Sequence, residues 1–227
     1  MLLGALMLRS AMLRTENICT ALEVEIYPDN EMQFISKDLI YKLLVNEDTT
    51  VLGNYTDSLS LKAIEETIEE NPSVKDATAY YDLNGVLGVD VRQRKPMVRI
   101  YGTDEAFYLD EDGAKMPLSE RYTARVITVS GHQPEDKCDE IYKLVKFINS
   151  DKLFKAQIVG IFVNEDKEYV LLPTVGTHRI LLGDISFLED KFENLKHSYQ
   201  KIFEKYGWDY YSLINLKYEN QVVCTKK

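Results

Sequence analysis

The chain has 227 residues, 45% of them hydrophobic, which is enough for one large domain or two small ones. Its formal net charge of -10 argues against a nucleic-acid-binding protein, because such a protein needs a basic face to displace counterions from phosphates. With only 3 histidines a metal or acid–base site is less expected, whereas 15 tyrosines favour surfaces that contact other proteins.

The three cysteines lie far apart in the sequence, at Cys19, Cys138 and Cys224. No C-x-x-C motif occurs, so neither zinc binding nor thioredoxin-type chemistry is supported. This pattern favours separate buried or half-buried thiols over a disulfide. The cysteines therefore do not decide the compartment.

The first residues are apolar but do not form a complete membrane signal. Residues 1–12 are interrupted by Arg9, are shorter than the ~20 apolar residues of a spanning helix, and lack the basic start of a signal peptide. They are interpreted either as no membrane segment or as the end of an anchor whose start lies upstream. Residues 1–19 are therefore set apart as a membrane-proximal segment.

The next part of the chain predicts a β-α-α-β-β domain over residues 20–97. Residues 22–26 alternate apolar and acidic side chains, as in a half-buried strand. Ser36 and Ser60 are predicted N-caps of two amphipathic helices. Residues 74–83 predict a strand, and Asn84-Gly85 predicts a hairpin with a type I′ turn, in which both central residues need positive φ.

The remainder, residues 98–227, predicts a second domain built on a mixed or antiparallel sheet with two helices. The fold class is therefore α+β. One amphipathic helix is expected at residues 139–150 and a longer one at 188–206, with an apolar face through Tyr206 and a cap at Gly207. The predicted strands span residues 98–101, 107–109, 125–129, 157–163, 168–172, 178–182, 210–218 and 221–224.

Motifs of catalysis are largely missing. The sequence has no P-loop, no G-x-G-x-x-G and no G-x-S-x-G. The acidic turn at residues 110–113 resembles the start of a calcium loop, but Arg121 stands where the last acidic ligand belongs, so a solvated turn is predicted. An enzyme alternative remains, a small hydrolase in which Asp110, Asp112 and His132 converge. The prediction is a non-enzymatic protein without cofactor or metal.

Three surface features are singled out. Arg92, Arg94 and Lys95 form the one basic run, which is either a solvated strand end or a contact with a partner or lipid headgroups. The acidic pairs at 65–66 and 69–70 are predicted to lie on a solvated helix face. The apolar residues 221–224 fit a sheet edge, which must be covered either by the chain itself or by a strand from a partner.

Four motifs, in order, resemble those of the bacterial cell-division family FtsQ, also called DivIB. Residues 71–77 are similar to its "NP-x-V-x-x-A", residues 91–96 to "V-x-E-R-x-P" with Gln93 for Glu, and residues 109–113 to "L-D-x-x-G". Residues 214–218 are similar to "I-D-L-R-Y", with Asn215 and Lys217 as departures. The resemblance covers residues 19–224, and its first domain corresponds to the family's POTRA module.

The resemblance implies a scaffold of the division machinery, with both domains in the periplasm and one membrane anchor near the N-terminus in the bacterial inner membrane. It implies that the POTRA module takes part in recruitment. It also implies that the second domain binds the FtsB–FtsL pair, with FtsB adding a strand beside the last strand. Carried onto this sequence, the partner site is Tyr218, Glu219, Asn220, Gln221, Val222, Val223 and Cys224, flanked by the helix of residues 187–206.

A second interpretation keeps the POTRA module and changes the role. POTRA domains also occur in assembly and secretion factors, which usually carry several copies or a long β-barrel. The departures at Gln93, Asn215 and Lys217 change side chains and not backbone pairing, which is what strand addition uses.

Overall fold

The computed structural model describes residues 18–28, 34–45, 50–218 and 221–227, with the backbone alone at 202–204. Contacts between residues divide the chain into two compact units. One contains the described residues up to Arg94 together with 119–122, and the other contains residues 95–118 and 123–227. The predicted α+β class is confirmed.

The strands in the described residues are β1 Ala21–Tyr27, β2 Val74–Tyr81, β3 Val86–Gln93, β4 Pro96–Tyr101, β5 Ala106–Asp110, β6 Lys115–Pro117, β7 Ile127–Gly131, β8 Ile158–Val163, β9 Tyr169–Pro173, β10 Arg179–Gly183, β11 Tyr211–Asn215 and β12 Val223–Lys226. The α-helices are α1 Lys37–Leu44, α2 Leu61–Glu69, α3 Cys138–Ser150, α4 Lys152–Gln157, α5 Leu188–Ser198 and α6 Glu204–Tyr206. Short 3-10 turns lie at Thr56–Ser58 and Pro134–Lys137.

The first unit has the predicted order β-α-α-β-β. Its sheet has the order β1-β3-β2, in which β3 is parallel to β1 and antiparallel to β2. Both predicted caps are confirmed, since the hydroxyl of Ser36 accepts the N–H of Leu39 and that of Ser60 accepts the N–H of Ala63. The inner face of β3 is buried at Leu87, Val89 and Val91, and Ile40, Ile64 and Ile68 from the helices are buried as well.

The hairpin between β2 and β3 differs from the predicted type I′ turn. Only Gly85 has positive φ, at 80°, while Asn84 does not. One carboxylate oxygen of Asp82 accepts the N–H groups of Asn84 and Val86, each at 2.8 Å, and Gly85 N–H donates to the Asp82 carbonyl at 3.3 Å. Because the aspartate bonds the loop backbone, a longer loop with a single left-handed glycine replaces the two-residue turn. The same hydrogen bonds lower the pKa of Asp82.

The second unit is built on a nine-stranded mixed sheet with the order β12-β11-β10-β9-β8-β7-β4-β5-β6. The pairs β4–β7, β7–β8 and β10–β11 are parallel, and the other pairs are antiparallel. Helices α3, α4 and α5 contribute to the same buried cluster as the inner face of the sheet. In α3 the predicted apolar positions Ile141, Leu144, Val145 and Ile148 are all buried.

Several predicted boundaries move by a few residues. Strand β4 already begins at Pro96, β7 spans Ile127–Gly131 in place of residues 125–129, and β11 ends at Asn215 in place of residue 218. The helix α4 was not predicted. It begins because the carboxylate of Asp151 accepts the N–H groups of Leu153 and Phe154, a local cap with a short apolar stretch behind it.

The predicted long helix is interrupted. After α5 the chain turns through a π-helical segment, Tyr199–Phe203, before α6, and Gly207 follows with φ 77°. An i→i+5 turn adds a residue, so the residues beyond it no longer continue the apolar face. Tyr206 is consequently 45% exposed, and its prediction as a buried position is wrong.

Candidate functional site

The candidate site is the edge of the large sheet formed by β12. This strand pairs on one side with β11, in antiparallel register with Asn215 opposite Val223 and Ile214 opposite Cys224. Among the described residues no strand lies on its other side. One edge of the sheet is thus defined by the last strand, as predicted, although the strand spans Val223–Lys226 and not residues 221–224.

The direction of the backbone groups follows from the hydrogen bonds of β11. The N–H of Leu216 donates to the carbonyl of Leu181 at 2.9 Å, so the backbone of Leu216 faces β10. Successive residues of a strand direct their N–H and C=O groups to opposite sides. The backbone groups of Leu213 and Asn215 therefore face β12.

On β12 the same alternation identifies the open donor. Val223 and Thr225 stand opposite Asn215 and Leu213, so their backbone groups are directed to β11. Cys224, which lies between them, directs its N–H and C=O to the open side. This residue presents the backbone groups to which an added strand can bind.

The predicted site residues fall into three groups. Val222 and Cys224 are half-buried and pack against the core of the unit. Tyr218 and Val223 are 51% and 44% exposed, and Gln221 is exposed too. The positions Glu219 and Asn220 lie outside the described residues. The prediction ended the strand at Cys224 and so missed Thr225 and Lys226, which belong to β12.

Two other sheet edges in the described chain are blunted, those at β6 and β2. At the far edge of the large sheet, β6 has three residues and includes Lys115 and Pro117. In the first unit the edge strand β2 is covered by α2. Ala79 N–H donates to Glu65 at 2.8 Å and Ala77 N–H to Glu69 at 3.0 Å. The prediction that these acidic side chains are only solvated is therefore wrong, because two of them bind backbone donors.

A cleft of about 400 Å³ lies on the helix side next to the end of β11. Leu216 forms part of its lining together with two exposed aromatic residues, Tyr218 and Phe187. Phe187 precedes α5 with φ 52°, a left-handed conformation unusual for an aromatic residue, and is 64% exposed. The cleft thus presents apolar side chains to solvent close to the open strand.

Two ion pairs hold the polar side of this cleft. Lys191 Nζ lies 2.9 Å from both the carbonyl and the carboxylate of Asp184, with 11% of its side chain exposed. Hydrogen bonds from Ser186 and then from Lys191 lower the pKa of Asp184 to about 2. Lys217, the second departure from the family motif, forms an ion pair with Glu168. The hydrogen bond between the two side chains raises the pKa of Lys217.

The opposite end of β12 meets a cluster of tyrosines. Tyr206 stacks on Tyr210 with ring centroids 4.7 Å apart, and Tyr211 meets Tyr210 edge-on at 4.9 Å. Lys226 of β12 lies over the Tyr210 ring at 5.4 Å. The open edge is therefore flanked by aromatic surface at both ends, which suits a protein interface.

The residues of the basic run have different local surroundings. Arg92 Nε lies 2.7 Å from a carboxylate oxygen of Asp76 on the neighbouring strand. Gln93 is 3% exposed, and its amide oxygen accepts the N–H of Ile35 at 3.0 Å. Arg94 is half-buried and Lys95 is exposed. A contact of Arg92, Arg94 and Lys95 with a partner or with lipid remains a prediction.

The residues of the hydrolase alternative serve other purposes. Asp110 is 1% exposed, so the prediction of a solvated turn is wrong at this position. Its carboxylate accepts the N–H groups of Asp112 at 3.0 Å and of Ala114 at 2.8 Å, and so stabilises the β5–β6 hairpin. The side chains of Asp112 and His132 are exposed.

The sheet register separates these residues further. Asp110 is opposite Pro96, the first residue of β4, whereas Val129 of β7 is opposite Ile100. His132 follows three residues later, so it lies beyond the far end of β4, roughly 20 Å from Asp110 along the strand direction. The predicted convergence of Asp110, Asp112 and His132 is wrong.

Neither a metal-binding cluster nor a spanning helix occurs among the described residues. No group of three or more His, Cys, Asp or Glu side chains there is placed to hold a metal ion. None of the helices within residues 18–28, 34–45, 50–218 and 221–227 has the length and apolar character needed to cross a membrane. Cys19, Cys138 and Cys224 are free thiols, and burial raises the pKa of each.

Comparison with known proteins matches both units. Residues 17–92 match the family described as POTRA-like domain, and residues 95–225 match the family described as FtsQ/DivIB, C-terminal related. No curated protein matches the chain. The resemblance seen in the four motifs is confirmed at the level of a related family and not of FtsQ itself. Because the second match spans more than half of the sequence, the chain belongs to the FtsQ/DivIB C-terminal-related family.

Proposed function

We propose that this protein is a non-enzymatic scaffold of bacterial cell division with an FtsQ-like role. The combination of a POTRA-like domain and an FtsQ/DivIB C-terminal-related domain supports this role over that of an assembly or secretion factor. Such proteins link early and late division proteins, and the described surface offers an open strand edge with aromatic flanks. We keep the predicted single membrane anchor near the N-terminus, with both domains in the periplasm, as part of this proposal.

The proposed mode of binding is strand addition at β12 by FtsB of the FtsB–FtsL pair. The observation that carries it is the open side of β12, where the backbone groups of Cys224 have no strand opposite them within the described chain. Main-chain hydrogen bonds give such a complex its affinity, and pockets beside the edge give specificity. The cleft next to Tyr218 supplies such a pocket.

The proposed contact residues follow from this geometry. Tyr218, Gln221 and Val223 offer exposed side chains, and Cys224 offers backbone groups. Val222 supports the strand from the core side, and we add Thr225 and Lys226 because β12 continues through them. Glu219 and Asn220 stay in the proposed site as its sequence neighbours.

The test is a binding titration of the full chain with a soluble FtsB–FtsL ectodomain pair from the same source. Cys224→Pro removes the N–H that faces the open side, and proline is tolerated at edge strands where that N–H is not used internally. We expect affinity to fall about five- to thirtyfold, since losing a backbone hydrogen bond in the interface costs about 1–2 kcal/mol. Cys224→Ala removes the thiol and keeps the N–H, so it should bind like the wild type.

The controls separate binding from folding. Thermal melting of each variant checks that the sheet is intact, and Thr225→Pro, which removes an N–H directed to β11, should lower the melting temperature more than Cys224→Pro. If Cys224→Pro binds like Cys224→Ala, strand addition at this edge is wrong. If the wild type does not bind the pair at all, the proposed scaffold role itself fails.

A further inference from the structure

A second cleft of the second unit lies away from β12. It has a volume of about 560 Å³ and is formed where strands β4, β7 and β8 begin. Lys95, Arg125 and Lys155 line it, and each comes from a different element: the residue before β4, the segment before β7, and helix α4. Elements far apart in the sequence thus bring three cations to one cleft.

These cations stand out against the charge of the whole chain. The formal net charge is -10, yet the described lining carries three basic side chains and one acidic side chain, Glu111. Lys95, Arg125 and Lys155 are exposed, and none of them forms an ion pair with another described residue. The cleft thus carries the opposite charge to the chain as a whole, which favours an anionic ligand.

The rest of the lining is mostly apolar. Met97, Val126 and Val159 contribute to it, and Val159 is 50% exposed although it lies in a strand. A site for a bare phosphate is usually lined by polar donors that wrap a single group. Cations spread over three elements around apolar side chains instead fit a ligand with several carboxylates separated by apolar groups.

We propose that this cleft binds an acidic peptide segment of a partner protein, with its carboxylates on Lys95, Arg125 and Lys155 and its apolar side chains on the floor. Its volume falls in the range of ordinary ligand sites. Three strands, β9, β10 and β11, separate β8 from β12 in the sheet. At the usual strand spacing the cleft and the open edge are roughly 19 Å apart, so a second segment can bind here independently of strand addition.

The experiment measures fluorescence anisotropy of a labelled peptide, Glu-Leu-Asp-Glu-Leu-Asp-Glu, with the full chain. The test variant is the double charge reversal Arg125→Glu with Lys155→Glu. The matched control is Lys143→Glu with Lys152→Glu, which makes the same charge change at exposed positions outside the lining. We expect the test variant to bind at least about tenfold more weakly than the wild type, with the control nearly unchanged.

Two further probes decide the chemistry. A peptide with serine in place of leucine should bind more weakly, and phosphatidylglycerol vesicles should bind the wild type and the test variant alike. The proposal is overturned if both double variants bind the peptide equally weakly, or if the serine peptide binds as well as the leucine peptide. It is also overturned if the test variant binds the peptide like the wild type and differs from it only in binding vesicles. The FtsB–FtsL titration plays no part in this test, so either proposal can fail without the other.

Discussion

His178 is a buried ionisable residue outside the candidate site, with 2% of its surface exposed. Its Nε2 lies 3.3 Å from the Tyr199 hydroxyl, and its ring stacks near Trp208 with centroids 6.3 Å apart. Burial lowers the pKa of His178, a hydrogen bond to the Trp208 backbone and the charge of Asp209 oppose that shift, and Lys227 adds to it. The folded protein therefore binds a proton here less readily than the unfolded chain does.

We predict that the second unit loses stability as the pH falls. The folded-state pKa of His178 lies below its ordinary value of 6.5. Neutral His178 therefore contributes its full share of folding stability above pH 6.5, and this share is lost as the pH falls towards the folded-state pKa. This one group changes the free energy of unfolding by at most about 1.4 kcal/mol per pH unit. Urea unfolding between about pH 7 and pH 5 measures it.

A substitution isolates the histidine from other acid effects. His178→Gln keeps a hydrogen-bonding group near Tyr199 and does not titrate, so its stability should fall less steeply with acid than that of the wild type. His132→Gln changes an exposed histidine and should leave the wild-type slope unchanged. Parallel pH curves for the wild type and His178→Gln would contradict the prediction.

Helix α2 acts as a cover for the edge of the smaller sheet. Glu65 and Glu69 are one helical turn apart and accept the N–H groups of Ala79 and Ala77, two donors of the edge strand β2 that face away from β3. An uncovered edge of this kind can pair with another copy of the strand. The first unit therefore keeps one of its edges closed with its own side chains.

We predict that Glu65→Ala with Glu69→Ala opens this edge. Two lost hydrogen bonds should lower the free energy of unfolding of the first unit by about 1–3 kcal/mol. The freed donors should also promote self-association, seen as larger species in sedimentation velocity. Glu65→Gln with Glu69→Gln retains both acceptors and should behave like the wild type.

Neighbouring acidic residues supply the control on the same helix. Glu66 pairs with Lys62 at the surface at 3.5 Å, and Glu70 is exposed next to the end of α2. Glu66→Ala with Glu70→Ala therefore removes the same charge without touching β2. If this variant associates as strongly as the first, net charge and not edge covering is the cause.

Features with local causes could be predicted from the sequence. The caps at Ser36 and Ser60 and the buried face of α3 depend on residues within one or two helical turns, and all are confirmed. The turn at Gly85 was predicted in place but not in type, since it depends on which amides the Asp82 carboxylate accepts. Strand ends were displaced because pairing partners, and not local pattern, decide where a strand stops.

The candidate site was only partly within reach of the sequence. That the last strand forms an edge was predicted from its short apolar sequence, and the family resemblance added a partner strand. Which backbone groups face outward follows only from the pairing of β10, β11 and β12. The basic cleft was missed apart from Lys95. Arg125 and Lys155 lie 30 residues apart, and only the parallel arrangement of β4, β7 and β8 brings them together.

At the scale of the whole molecule, the chain has two separate cores, one for each sheet. Ile161 is 1% exposed in β8 of the large sheet, and Ile68 is fully buried in α2 of the first unit. Replacing a buried isoleucine with alanine costs about 2–5 kcal/mol through lost contacts and the cavity that remains. We predict that each substitution destabilises only the unit that contains it.

Hydrogen exchange read by mass spectrometry tests this directly. Ile161→Ala should accelerate amide exchange in β7, β8 and β9 while β3 keeps its protection, and Ile68→Ala should do the reverse. The two variants are matched in chemistry and burial, so each is the control for the other. Equal acceleration in both sheets for either variant would show a single cooperative unit. Confinement to one sheet would mean that a partner bound at β12 can stabilise the second core without requiring the POTRA-like unit to be folded.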